Sequence, residues 1–324
     1  MVSAKLIPGT VRDYGTFSSQ GLRDEMEDDI YVSYNENLEI LYCGVFDGHG
    51  GAQASNWLAL ELHQWLTPMI AGKPKAELYG TFSQCFKEGD ARLMAHLGKL
   101  GHEVLSNAGS TATVVVVQQN HVVVANVGDS QAFLLRKGQA ISLSTPHRVY
   151  GSGPEVQSES KRVMSTGAWI HDGRVCNILA VSRAFGDWEF KGEGLQRLLQ
   201  GGVEKEYWSQ DFADAQKFSS DPVIVTPDVA LSDLTPEDDL MVVATDGLWD
   251  VVSPLEVLRL AQSRFKAGKT AAEVAEFLVS AALKRHTTDN VACVVIDFKG
   301  MEGRGASKNS SAGGSWLGGL FGKK

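Results

Sequence analysis

The chain has 324 residues, 43% of them hydrophobic, and a formal net charge of -9. That is ordinary globular composition for one large or two small domains, and the acidic balance excludes a general nucleic-acid binder. Cys43, Cys85, Cys176 and Cys293 are scattered without a C-x-x-C pair, so they read as reduced thiols in a non-oxidising compartment. No apolar run approaches the ~20 residues of a spanning helix. Met1 to Thr10 resembles neither a signal peptide nor a full transit peptide, so an organellar protein would have lost its targeting segment already.

Residues Tyr14 to Tyr34 predict a strand, an acidic connection Arg23-Asp24-Glu25-Met26-Glu27-Asp28-Asp29, and a second strand from Ile30. An arginine inside an acid run suits a site handling both metal and phosphate, since carboxylates take the one and a guanidinium fork the other. The apolar run Leu38 to Phe46 ends in Asp47-Gly48-His49-Gly50-Gly51, and helical spacing follows at Trp57, Leu58, Leu62, Trp65, Leu66 and Met69. A strand thus delivers a carboxylate beside bare glycine backbone, which suits a hard divalent cation, with His49 as proton donor or acceptor. A plain Asp-Gly turn with a surface histidine is the alternative.

A second helix is expected from Ala76 to Leu100. The β-branched runs Thr111 to Val117 and Val122 to Val127 predict a buried hairpin, and Lys137-Gly138 centres another. Asp129 lies at the junction between them, and alone it reads as a turn residue. Pro146 to Ser160 is loop-like, Lys161 to Ser165 a short helix, and Ala168–Ile170, Arg174–Val175 and Ile178–Val181 are strands. The segment Trp188 to Ser220 is an insertion, with Tyr207 and Trp208 as exposed candidates for substrate recognition or as pins to the body.

Val223–Val225 and Leu240–Ala244 are further expected strands, the second running into Asp246-Gly247 and Asp250. Ser253 to Glu256 and Thr270 to Glu273 both have the form of capping boxes. Asp289 precedes a last strand, Val291 to Phe298. A domain of residues 1–300 followed by a glycine- and serine-rich tail, 301–324, completes the division. The tail reads as flexible, or as a peripheral membrane contact through its tryptophan, phenylalanine and lysines.

Asp47, Asp246 and Asp289, with Glu27 and Asp129, all flank apolar runs, and no basic partner is evident in sequence. Converging carboxylates repel unless cations neutralise them, and an all-oxygen set points to Mg2+ or Mn2+. Two such ions activate a water for in-line displacement at phosphorus.

At this point the chain resembles the metal-dependent type 2C protein serine/threonine phosphatases. The motifs are Arg23 to Asp28, Val45 to Gly51, Gly109-Ser110-Thr111-Ala112, Val127 to Ser130, Leu179 to Asp187, Thr245 to Asp250 and Asp289-Asn290, in family order. The resemblance implies a four-layer α-β-β-α sandwich with a bimetal site at one end. It implies Asp47 bridging both ions, the Gly48 carbonyl as a ligand, Glu27 on one ion and Asp246 and Asp289 on the other. Asp129 and Asp250 match a weaker third-metal site, Arg23 the phosphate clamp and His49 the acid for the leaving oxygen. Pro146-His147-Arg148-Val149 and Cys176-Asn177 depart from the family pattern, next to the site.

His147 to Ser152, Gly167 to Ile170 and the stretch from Gly202 to Ser209 are similar to thylakoid phosphatases of plants and green algae. That similarity implies a phosphothreonine substrate in the light-harvesting antenna, reversal of state transitions, and a stromal thylakoid location. The alternatives are the same chemistry on a soluble cytoplasmic or nuclear phosphoprotein, and a non-catalytic phosphoprotein-binding regulator. A monomer is expected, with no nucleic-acid partner.

Overall fold

The computed structural model describes residues 11–305. Two five-stranded antiparallel sheets form its centre. Their strands are β1 (Asp13–Ser19), β2 (Asp29–Asn35), β3 (Ile40–Phe46), β4 (Ala112–Gln118), β5 (His121–Val127), β6 (Gln131–Arg136), β7 (Gln139–Ser142), β8 (Asp228–Asp233), β9 (Asp238–Ala244) and β10 (Val291–Asp297). One sheet has the order β1-β10-β9-β6-β7 and the other β8-β5-β4-β3-β2.

Side-chain alternation builds three apolar layers from these strands. Leu41, Cys43, Val45, Val115, Met241, Val243, Val294 and Ile296 fill the space between the sheets. The opposite faces of the same strands meet helices: Ile40, Tyr42, Val114 and Val116 pack under α1 (Gln53–Ile70) and α2 (Lys75–Leu100). Val242, Ala244, Cys293 and Val295 pack under α6 (Pro254–Lys266) and α7 (Ala271–Lys284). Strands covered on both faces read as continuous apolar runs, which is why these were visible in the sequence. The four-layer α-β-β-α expectation is met.

Local chemistry sets the connections. Lys137 and Gly138 both have positive φ (52° and 73°), the backbone of a two-residue hairpin turn between β6 and β7. The Thr270 side chain accepts from the Glu273 amide, and Glu273 answers the Thr270 amide, so the expected capping box opens α7. The other expected box does not form. Ser253 makes no side-chain cap, although Pro254 does start α6, and Glu256 pairs instead with Arg285.

A flap of residues 144–226 crosses the end of the sandwich around its own small core of Val149, Val163, Val175, Phe190, Leu198 and Val223. It contains α3 (Pro154–Ser165), α4 (Gly194–Glu204) and α5 (Gln210–Ala215). Several expectations change here. The helix begins at Pro154, not Lys161, because Pro at its first turn needs no donor. Of the three expected strands only a two-residue hairpin, Ile170–His171 with Arg174–Val175, forms. Val223–Val225 is no strand, and Ile224 makes one isolated bridge to Arg183. The neighbouring strand is β8, an edge strand with acids at both ends, which apolar patterning does not reveal.

At the C-terminal side a short helix, Gly300–Gly305, carries the body past residue 300. Arg304 anchors it through Asp297 (2.8 Å) and Asp239 (2.6 Å). The expectations for Met1 to Thr10 and for the tail from 306 onward lie outside the described residues. No helix among the described residues is long and apolar enough to cross a membrane.

Candidate metal centre

The acids gather because strand directions put their junctions at one end of the sandwich. Asp47 leaves β3, Asp129 follows β5 and Asp246 follows β9, while Glu27 precedes β2 and Asp289 precedes β10. Asp47, Asp129 and Asp246 converge, with one carboxylate oxygen of each within 4.8 Å of the others. They line a cavity of about 530 Å³ with Arg23, Glu27, Gly48, His49, Thr111, Tyr150, Arg174 and Asp289.

This set is electrostatically uncomfortable. Burial, then the charges of Asp28 and Asp246, pushes the Asp47 carboxyl well above the usual carboxylate range. Burial, then Asp129 and Asp250, does the same to Asp246, and burial raises Asp129. Asp28 behind them rises to about 7, chiefly by burial and against the hydrogen bond it accepts from Thr245 (2.9 Å). Carboxylates that disfavour one another's charge, offering only oxygen, fit a hard divalent cation.

The expected ligands are not equivalent. Glu27 and Asp289 share the cavity but lie outside the close trio, and each has an anchor. One Glu27 oxygen accepts from the Gly51 amide (2.6 Å). Asp289 accepts from Arg23 (2.7 Å) and from the Asn290 amide (2.8 Å). Asp129, which the resemblance matches to a weaker third-metal site, lies beside Asp47 and Asp246 and accepts from the Tyr150 hydroxyl (3.1 Å). Asp250 is not among the cavity-lining residues and lies 3.5 Å from Arg148. No basic partner was evident in sequence, and the structure supplies them from distant positions: Arg23 pairs with Asp289, and Arg148 lies beside Asp250.

Gly48 is required by space. A Cβ would overlap the Glu27 carbonyl and lie 2.8 Å from Ser55 Oγ. His49 Nε2 sits 2.8 Å from Asp187 Oδ1. Burial pulls the imidazole pKa down, but the Asp187 charge and hydrogen bond outweigh it, so the net shift is upward.

Tyr207 and Trp208 do not line this cavity. Tyr207 is 55% exposed, as expected. Trp208 corrects the expectation of exposure: its indole donates to the Leu199 carbonyl (2.8 Å) and stands edge-on to Trp169 at 5.2 Å. Sequence reasoning missed Asp187, Tyr150 and Thr111 as site residues. Thr111 Oγ1 accepts from the Asp47 amide (3.2 Å), fixing the strand end that carries the acid.

Comparison with known proteins identifies the family. The family model for Protein phosphatase 2C matches residues 12–291. The chain is 34% identical over 291 residues to protein phosphatase 2C 57 of Arabidopsis thaliana, covering 88% of this chain and 74% of that one. It is 28% identical over 316 residues to probable protein phosphatase 2C 21 of Oryza sativa subsp. japonica, covering 89% and 84%. A phosphatase crystal structure from Toxoplasma gondii matches in fold with a TM-score of 0.66 at 23% identity, over 89% of this chain and 94% of that one. The sandwich, its acid-lined end and these matches together make the chain a member of the protein phosphatase 2C family, manganese- or magnesium-dependent protein serine/threonine phosphatases.

Proposed function

We propose that the chain hydrolyses phosphothreonine in light-harvesting antenna proteins at the stromal face of the thylakoid. The observation that supports the chemistry is the common cavity of Asp47, Asp129, Asp246, Arg23 and His49. The carboxylates, with Glu27, Asp289 and the Gly48 carbonyl, would hold manganese or magnesium. When bound there, such an ion would supply charge neutralisation at phosphorus and a lowered pKa for the attacking water. Arg23 releases part of its hold on Asp289 to grip phosphate oxygens with its planar fork. His49 donates a proton to the serine or threonine oxygen as its bond to phosphorus breaks. Flap residues Tyr150 and Arg174 line one side of the cavity, where peptide flanking the phosphate would run.

The antenna substrate is supported by the similarity of His147 to Ser152, Gly167 to Ile170 and Gly202 to Ser209 to thylakoid phosphatases. These stretches all belong to the flap, the part of the molecule suited to choosing a protein substrate. The test is phosphate release from isolated phosphorylated thylakoids and from soluble phosphothreonine peptides, after chelation and after Mn2+ is added back. Chelation should remove activity on both, and Mn2+ should restore it. A rate on thylakoids no higher than on unrelated peptides would reject the antenna assignment and leave the soluble-substrate reading. Full turnover after exhaustive chelation would reject the chemistry.

A further inference from the structure

Asp187 is an expensive residue. It is 3% exposed, and its Oδ2 is buried without a hydrogen-bond partner. Its backbone is left-handed (φ 51°), a region that aspartate and asparagine enter more readily than most residues but still at a cost. Buried unsatisfied carboxylate atoms and unfavourable φ both destabilise a fold, and they persist where surrounding structure holds them for a purpose.

The surroundings do hold it. The Asp187 amide donates to the Ala108 carbonyl (3.1 Å). The preceding Phe185–Gly186 pairs with Gly109–Ser110, which on its other side pairs with Gly48–His49. A buried ion pair locks this patch to α2. Lys191 Nζ reaches Asp90 Oδ2 (2.8 Å) and the Ala184 carbonyl (2.9 Å), while Asp90 Oδ1 accepts from the Gly186 amide (2.8 Å). Gly109 lies between His49 and Asp187, and a Cβ there would overlap both the imidazole Nε2 and the carboxylate. Three short strands, one ion pair and one missing side chain thus bring a carboxylate against one nitrogen of His49.

We propose that Asp187 is the positioning residue for His49: it fixes the ring's orientation and keeps a proton on Nε2, leaving Nδ1 as the nitrogen that serves the leaving oxygen. This rests on reading His49 as the proton donor. The pairing resembles, in physical logic only, a carboxylate that sets a histidine tautomer. Asp187 touches no reacting atom and acts only through the ring.

The test uses the full chain and four forms: wild type, Asp187→Asn, His49→Ala and the double variant. Asparagine keeps the volume and tolerates the left-handed backbone. With Mn2+ present, Asp187→Asn should lower kcat on a phosphothreonine peptide roughly 10- to 100-fold and on an aryl phosphate less than about threefold, because only the alkoxide needs a proton. The double variant should be no slower than His49→Ala alone. Losses that multiply in the double variant, or an unchanged peptide kcat in Asp187→Asn, would overturn the proposal. A second readout needs no metal. The 15N shifts of the His49 ring should show a protonated Nε2 in the wild type and a redistributed proton in Asp187→Asn, and identical shifts would overturn the positioning role. If His49→Ala loses equally on both substrates, the proton-donor reading falls, and the ring shifts alone then decide whether Asp187 positions the imidazole.

Discussion

The sandwich and the flap solve the same problem, holding chemistry in place, with opposite materials. The sandwich holds its acids by apolar register: β3, β5 and β9 are almost wholly buried and end at the metal centre. The flap has few regular strands and is tied down by charge. Glu159, 4% exposed, accepts from Arg183 (2.7 Å), Arg162 (3.1 Å) and the Ser182 hydroxyl (2.7 Å), and Arg183 continues to Asp228 (2.9 Å). Apolar layers tolerate pH and salt. A buried ion network is directional, and loses heavily when one member is removed. The difference teaches that the clustered acids sit on the apolar frame, while the flap beside them is held by a polar network.

The sharpest way to break this comparison is at the acids. Asp246→Asn should cost on the order of 10³-fold in kcat, about 4 kcal/mol in barrier. The melting temperature of the metal-free protein should hold or rise, since one mutually repelling charge is gone. Steady-state kinetics and calorimetry read both. A large fall in stability would mean that the acids belong to the scaffold.

The flap should answer the other way. Glu159→Ala strands two arginines and should cost about 3–5 kcal/mol in flap stability. Hydrogen exchange should show this as faster exchange in residues 144–226, with β3 and β10 unaffected. The pH dependence follows from the same contacts. Burial pushes Glu159 up, but the hydrogen bonds and charges of Arg183 and Arg162 outweigh it and bring the pKa from 4.5 to about 2. Its contribution is therefore fully present above pH 4.5 and is lost as pH falls toward 2. Unfolding followed between those values should be less steep in Glu159→Gln than in the wild type, and equal slopes would remove Glu159 from the network.

The smallest effects separate two neighbours. Trp208→Ala should destabilise the flap by about 2 kcal/mol, because the indole fills the space against Gly202 and Trp169. Tyr207→Ala should change stability by less than about 0.5 kcal/mol. It should raise KM on the phosphoprotein with little change on an aryl phosphate, the signature of a recognition contact. Equal loss on both substrates would make Tyr207 structural.

What could be read from the sequence follows the same division. Asp47, Asp129, Asp246 and Asp289 were legible because each adjoins an apolar run whose end is a place in the fold. Their basic partners were not, because Arg23 meets Asp289 across 266 positions. Asp187 stood inside a recognised motif, yet nothing local marks it as the partner of His49, 138 residues away. The edge strand β8 escaped because its acids mask a weak apolar pattern, and α3 because its inward face shows only Val156, Glu159 and Val163. A buried glutamate counts as polar in any periodicity, although here it is the centre of the flap.

The pairing of β1 with β10 runs from Asp13 opposite Asp297 to Ser19 opposite Val291. The first strand therefore waits for the last. On the ribosome, where synthesis runs from the N-terminus, β1 has no strand partner until β10 has emerged, although α7 meets it slightly earlier through the Ala271 amide that donates to Asp13 (2.7 Å). Asp47 and Asp129 are thus synthesised early, and Asp289 last among the acids that line the cavity. Such long-range closure makes folding slow relative to local helix formation. It also means that Asp289 is fixed beside the other acids only once the last strand is in place.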